Sequence, residues 1–162
     1  MIGAMRVLFV CLGNICRSPT AEAVFRTVVV DAGHGEVVEI DSCGLIAYHE
    51  GNPPVARATA AAARRGYDLS SQRARPIADD DFDRYDLVRG MDDDVVRSLR
   101  GMAPPEHAGR GMPFLRLDDP DAAGEVPEPY YGGARGFEDV LDLVEDGARA
   151  LLDHVEARLD PA

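Results

Sequence analysis

Apolar residues along this chain fall into two rhythms. "RVLFVCL" (Arg6 to Leu12) is a nearly continuous apolar run, the pattern of a short strand buried on both faces. "EVVEIDSCG" (Glu36 to Gly44) alternates, and "RYDLVRGM" (Arg84 to Met91) and "MPFLRL" (Met112 to Leu117) also read as strands. Between them the spacing is helical. Ala21, Val24, Phe25, Val28, Val29 and Ala32 share one face, with Ser18 as a predicted N-cap, Pro19 at the first helical position, and Gly33 and Gly35 closing the segment. Asn52-Pro53 opens an alanine-rich helix that stops near Gly66, and a shorter helix runs from about Asp92 to Arg100. The last helix is the clearest. Phe137, Val140, Leu141, Val144, Ala148, Leu151, Leu152, Val155 and Leu159 form one stripe, with carboxylates opposite. Gly147 lies inside that helix at a cost of about 1 kcal/mol relative to alanine, which predicts close packing there.

The order β-α-β-α-β-α-β-α predicts one three-layer α/β/α domain over residues 1–162, built on a four-stranded parallel sheet with right-handed crossovers. Ligands bind such sheets beyond the carboxyl ends of the strands. The loop after strand one lies there, as do those at Ser42, Met91 and Asp118, the last opening a polar, proline-rich stretch to Gly136.

Charge narrows the picture. The 162 residues carry a formal net charge of -12, which argues against general affinity for nucleic acid or an anionic membrane surface. No apolar run approaches the ~20 residues of a membrane span. "MIGAMRVLFVCL" lacks the charged leader and small-residue cleavage site of a signal peptide, so it reads as a buried first strand. Three cysteines, an odd number, fit a reducing cytoplasm better than a disulfide framework. The histidines His34, His49, His107 and His154 are scattered and suggest no role.

The first loop carries the candidate chemistry. Cys11 to Arg17 join a buried strand to a helix N-terminus, where successive backbone N–H groups of Leu12, Gly13, Asn14, Ile15 and Cys16 can cradle an anion. Gly13 permits close approach and a positive φ, and Asn14 also tolerates the left-handed conformation. Arg17 supplies a planar fork for two phosphoryl oxygens. A cation and a helix N-terminus favour the thiolate of a cysteine, the nucleophilic form. Ser18 is placed to donate a hydrogen bond to the Cys11 sulfur and stabilise it as a leaving group.

"VCLGNICRSP" resembles the signature of the low-molecular-weight protein tyrosine phosphatases. "EPYYGG" resembles their acid-loop motif, usually Asp-Pro-Tyr-Tyr-Gly, "DSCG" their Ser-x-Gly segment, and "VRGMD" the end of their third strand. "SSQRAR" resembles a segment that usually carries histidine where Gln72 stands. The resemblance is collinear over nearly the whole chain. It implies a phosphocysteine mechanism without cofactor or metal. Cys11 attacks phosphorus, Arg17 and the loop amides hold the equatorial oxygens, and Glu128 protonates the leaving group and then activates water. It also implies a rim of Tyr48, Tyr130 and Tyr131, and loop support from Asn14, Ser42 and Gln72. Phosphotyrosine protein is the implied substrate, with a cognate tyrosine kinase as counterpart.

Two positions depart from the family pattern. Glu128 stands where aspartate is usual, with one more methylene and one more rotor, and Asp118, Asp119, Asp121 and Glu125 are rival carboxylates nearby in sequence. Gln72 exchanges hydrogen bonds but cannot titrate. These departures keep a weakly active phosphate-binding module open as a reading, beside a phosphatase of small aryl or alkyl phosphomonoesters. Ile15 favours phosphotyrosine, since members acting on phosphoarginine tend to carry threonine at that position. Zinc is disfavoured, because Cys11 and Cys16 with Cys43 and His49 lack a second matched pair. Residues 79–90 hold no cysteine for the arsenate-reducing relatives of this fold. Cys16 reads either as a small buried residue or as the redox partner of Cys11 in a reversible disulfide.

Overall fold

The computed structural model describes residues 5–107, 109–115, 125–127, 129 and 135–159. Four strands, β1 (Met5–Cys11), β2 (Val38–Gly44), β3 (Leu87–Gly90) and β4 (Gly111–Pro113), form one sheet in the order β2-β1-β3-β4. Every pairing is parallel, with Val7 opposite Ile40 on one side and Leu87 on the other. Among the described residues, five α-helices pack around it, α1 (Arg17–Asp31), α2 (Ala56–Arg64), α3 (Asp81–Arg84), α4 (Asp93–Met102) and α5 (Gly136–Leu159). This is the predicted α/β architecture with its four-stranded parallel sheet.

The side-chain alternation of β1 divides the interior in two. Val7, Phe9 and Cys11 face a core shared with α1, α2 and α5. Leu8 and Val10 face a second core with Phe82, Tyr85, Val95 and Leu99 from the α3–α4 side. Phe9 is the hub of the first core, edge-on to Phe25 of α1 at 5.7 Å and to Phe114 just after β4 at 5.4 Å. The close packing expected at Gly147 is present. A Cβ there would lie 2.8 Å from Phe114 Cε2 and Cζ and from Leu115 Cδ2.

Four boundaries differ from the pattern-based expectation. Helix α1 begins at Arg17 with Cys16 as N-cap, so Ser18 and Pro19 are its second and third residues. Proline is tolerated anywhere in that first turn, and the serine hydroxyl is free for another task. Helix α2 starts at Ala56 rather than Asn52, because two consecutive prolines push the residues before them out of the α region. Arg84 belongs to α3, a turn of helix in the acidic "DDDFDR" stretch, so β3 starts three residues later, at Leu87. The last strand ends at Pro113, although Phe114 N–H still bonds Gly90 O at 3.0 Å.

Strand order places the loop after β1 at the point where successive connections leave to opposite sides of the sheet, toward β2 and toward β3. A crevice forms at such a switch point. The loops after β2 and β3 flank it.

Candidate active site

The Cys11–Arg17 loop is fastened to its neighbours by backbone bonds. Leu45 N–H and Ile46 N–H donate to Cys11 O and Leu12 O at 3.0 and 3.2 Å, and Val55 N–H donates to Ile15 O at 2.7 Å. The left-handed residue of the loop is Asn14, at φ 59°, not Gly13. Asn14 can occupy that region because its side chain is fully engaged. Its Nδ2 donates to Ser18 Oγ at 2.9 Å and Ser42 Oγ at 3.0 Å, while its Oδ1 accepts the Arg75 N–H at 3.0 Å.

Cys11 is 3 % exposed. Its sulfur accepts the Asn14 N–H at 3.3 Å and lies 3.0 Å from Ser18 Oγ. Ser18 Oγ also lies 3.4 Å from Cys43 O. A hydroxyl has one proton to give, and the shorter contact directs it to sulfur. Two donors thus converge on Cys11, the arrangement that stabilises a thiolate.

Arg17 is 5 % exposed, and its Nη1 donates to Asp92 Oδ2 at 2.6 Å and Val126 O at 3.2 Å. The other Asp92 oxygen accepts Val95 N–H at 2.8 Å, which caps α4. Val126 N–H in turn donates to Met91 O at 2.8 Å. The guanidinium is therefore oriented before any ligand arrives.

Behind the loop, Ser42 Oγ donates to Glu22 Oε1 at 2.7 Å, and Glu22 Oε2 accepts from Arg26 at 2.8 Å. Burial pushes the Glu22 carboxyl above its ordinary range, against the opposing pull of Ser42 and Arg26. Arg75 closes the other side. Its carbonyl accepts the Gly44 N–H at 2.9 Å, and its guanidinium holds Asp41 and Asp81. Gly44 is required here by space. A Cβ would lie 2.8 Å from Leu12 O, 3.0 Å from Gly13 C and 3.1 Å from Asn14 N, all backbone of the loop. Burial pushes the Cys43 thiol far up, so it is a packing residue.

The structure thus brings Cys11, Asn14, Ser18 and Ser42 into one network with Arg17 beside it. Gln72 Nε2 donates to Pro19 O at 3.0 Å. Tyr48 is 83 % exposed and stands edge-on to His49, whose ring lies against Gly13. Cys16 is buried, and all three cysteines are free thiols. Glu128, Tyr130, Tyr131, Asp118, Asp119 and Asp121 lie outside the described residues. Asp92, Glu22 and Arg75 were not singled out by the sequence. The one available signal was for Asp92, which follows β3 at the ligand-binding end of the sheet.

A family model described as low molecular weight phosphotyrosine protein phosphatase matches residues 6–160. The chain belongs to that family. It is 46% identical over 158 residues to a low molecular weight protein-tyrosine-phosphatase of Streptomyces coelicolor, covering 96% of both chains. It is 38% identical to the human low molecular weight phosphotyrosine protein phosphatase, covering 91% of this chain and 93% of that one. Its fold is similar to the crystal structure of a protein tyrosine phosphatase from Entamoeba histolytica with Hepes in the active site. The TM-score is 0.88 at 36% identity, covering 94% of this chain and 97% of that one. In this family of cysteine phosphatases, the loop after β1 is where Cys11 and Arg17 stand in the present chain.

Proposed function

We propose that the protein hydrolyses phosphotyrosine-type aryl phosphomonoesters in two steps through a phosphocysteine. The observation that carries this reading is the pair of donors on Cys11 sulfur, Ser18 Oγ at 3.0 Å and Asn14 N–H at 3.3 Å, beside a pre-oriented Arg17.

In the first step the Cys11 thiolate attacks phosphorus. The S–P bond forms as the P–O bond to the aryl group breaks, and Glu128 protonates the departing oxygen. Arg17 exchanges contacts with Asp92 and Val126 for two equatorial phosphoryl oxygens, and the amides of Leu12 to Arg17 meet the rest. These groups act where transition-state charge spreads. In the second step the Glu128 carboxylate takes a proton from water, whose oxygen attacks phosphorus. The S–P bond breaks, and the returning thiolate is received by the Ser18 hydroxyl and Asn14 N–H. The glutamate role is supported by chain connectivity. Glu128 is two residues beyond Val126, whose carbonyl touches Arg17.

Tyr48, Tyr130 and Tyr131 form the rim on which the substrate ring stacks. Cys16 forms a reversible disulfide with Cys11 under oxidation, shielding the nucleophile from sulfinic acid. The substrate is a phosphotyrosine protein made by a cognate kinase in the cytoplasm, a compartment that agrees with three free cysteines. No helix among the described residues is long and apolar enough to cross a membrane.

Turnover of para-nitrophenyl phosphate by the wild type, Cys11→Ser and Glu128→Gln proteins tests the reading. Cys11→Ser is expected to abolish turnover, and Glu128→Gln to lower kcat at least about tenfold, against the ~10²–10⁴-fold that a general acid typically contributes. Equal turnover by wild type and Cys11→Ser would overturn the mechanism. An unchanged kcat for Glu128→Gln would remove only that residue. A panel of phosphopeptides and small phosphomonoesters then ranks the substrate classes.

A further inference from the structure

The direction of each proton in the network behind Cys11 follows from one group that can only donate. The Arg75 backbone N–H faces the Asn14 side chain at 3.0 Å, so the atom it meets is the oxygen Oδ1. The other end of that amide is then Nδ2, whose two N–H groups reach Ser18 Oγ at 2.9 Å and Ser42 Oγ at 3.0 Å. Each hydroxyl oxygen accepts from Asn14, so each sends its own proton elsewhere. Ser18 sends it to Cys11 Sγ at 3.0 Å, and Ser42 sends it to Glu22 Oε1 at 2.7 Å.

Glu22 is thus the far terminus of a chain of bonds whose near terminus is the sulfur. It reaches β2 from α1 and is 7 % exposed, and Ser42 is buried with it. Its second oxygen accepts from Arg26 Nη2 at 2.8 Å, and the same Nη2 donates to Ile40 O at 3.1 Å. Both oxygens of Glu22 are therefore acceptors. An apolar side chain at this position would leave the Ser42 proton buried with no acceptor. Turned back toward Asn14, that proton would oppose Nδ2, the group whose donation keeps the Ser18 proton on sulfur. A buried polar network that is only partly satisfied is costly, so the strain is relieved by moving the Asn14 amide.

We infer that Glu22 is a positioning residue for the phosphatase reaction: by accepting the Ser42 proton it holds the Asn14 amide in the orientation that leaves the Ser18 proton for the Cys11 sulfur. Its hydrogen bonds go to Ser42 and Arg26, so it acts through the serine rather than on the substrate. Its effect falls on the step in which the thiolate is the leaving group, where the Ser18 hydroxyl meets developing charge. The inference rests on the phosphocysteine mechanism proposed above.

Turnover of para-nitrophenyl phosphate, inhibition by inorganic phosphate and urea unfolding test this on Glu22→Leu, Glu22→Gln, Ser42→Ala and the Glu22→Leu/Ser42→Ala double variant. Leucine offers no acceptor and should lower kcat about tenfold, the scale of one charge-assisted hydrogen bond. Glu22→Gln still presents an amide oxygen to Ser42, because Arg26 is half exposed and free to swing into water. It should keep most of the wild-type kcat. In the Ser42→Ala background Glu22→Leu should change kcat no further, since its route to Asn14 is gone. Inhibition by inorganic phosphate should be unaltered, because the loop amides and Arg17 lie outside this chain of bonds, whereas a collapsed loop would lose phosphate binding and kcat together. The inference is overturned if Glu22→Leu leaves kcat unchanged or lowers it equally with and without Ser42. It is also overturned if Glu22→Gln is as impaired as Glu22→Leu, or if phosphate inhibition weakens in step with kcat. Glu22→Ala repeats the comparison should urea unfolding show that the leucine variant does not fold. Activity that depends on Cys11 but not on Glu22 sinks this inference alone, while a wild type without turnover sinks the phosphatase reading.

Discussion

Asp92 holds Arg17 with one oxygen at 2.6 Å and caps α4 with the other at 2.8 Å. One carboxylate therefore joins the arginine proposed to bind phosphate to the start of a helix on the opposite layer. The two tasks separate by substitution. Asp92→Asn keeps a good capping side chain but loses the negative charge, whereas Asp92→Ala loses both. Asp92→Ala should be less stable than Asp92→Asn by about 1 kcal/mol in urea unfolding, the worth of an N-cap. Both should lower kcat/KM about tenfold, because the freed arginine adopts other rotamers. Equal stability of the two variants would show that the cap contributes nothing.

Asn14 supports the loop by conformation and by side chain. Asn14→Gly keeps access to positive φ and removes the three side-chain bonds, while Asn14→Ala removes the bonds and adds left-handed strain. Both should lower kcat at least about tenfold, and the alanine variant should be less stable by about a further 1 kcal/mol. Thermal melting and steady-state kinetics on the same preparations would separate the two contributions.

The glycine at position 44 is a spacing element. Since a Cβ would strike Leu12 O at 2.8 Å, Gly44→Ala must displace the loop itself. Overpacking of this kind costs about 1–3 kcal/mol. The expected result is a lower melting temperature together with a lower kcat, and a variant crystal structure should show the Leu12–Asn14 backbone shifted.

Glu22 adds a pH dependence. Burial raises its carboxyl in the folded state, so between the ordinary glutamate range and that raised value the folded protein binds more proton than the unfolded one. Its contribution to stability is therefore full at acidic pH and is lost as pH rises through the raised value. Glu22→Gln removes the titration. Its stability relative to wild type should improve steadily from about pH 4, near the ordinary glutamate value, to pH 7. A difference independent of pH in urea unfolding would contradict this account.

The sheet, the loop after its first strand and the stripe of α5 were legible in the sequence because each rests on a local period. So was the packing at Gly147, since a glycine inside a strong helix needs a reason. The roles of Asp92, Glu22 and Arg75 were not legible. Asp92 meets Arg17 across 75 positions of chain, and Arg75 meets Asn14 across 61, distances over which residue spacing carries no geometric information. Ser18 was read both as the N-cap and as the donor to Cys11, and only the second reading holds. A serine before a proline has the local look of a cap, but its hydroxyl turns to Cys11 while Cys16 takes the N-cap position. Gln72 was grouped with Asn14 through the family pattern, and its longer amide instead reaches Pro19 O.

The alternation of β1 has a consequence for how Cys11, the proposed nucleophile, is aimed. Val7, Phe9 and Cys11 face one core, Leu8 and Val10 the other. The side of the sheet on which the sulfur emerges is thus a matter of parity, counted from the buried valine. A single residue inserted or removed between Val7 and Cys11 would leave every catalytic side chain in the sequence, yet send the thiol to the wrong layer.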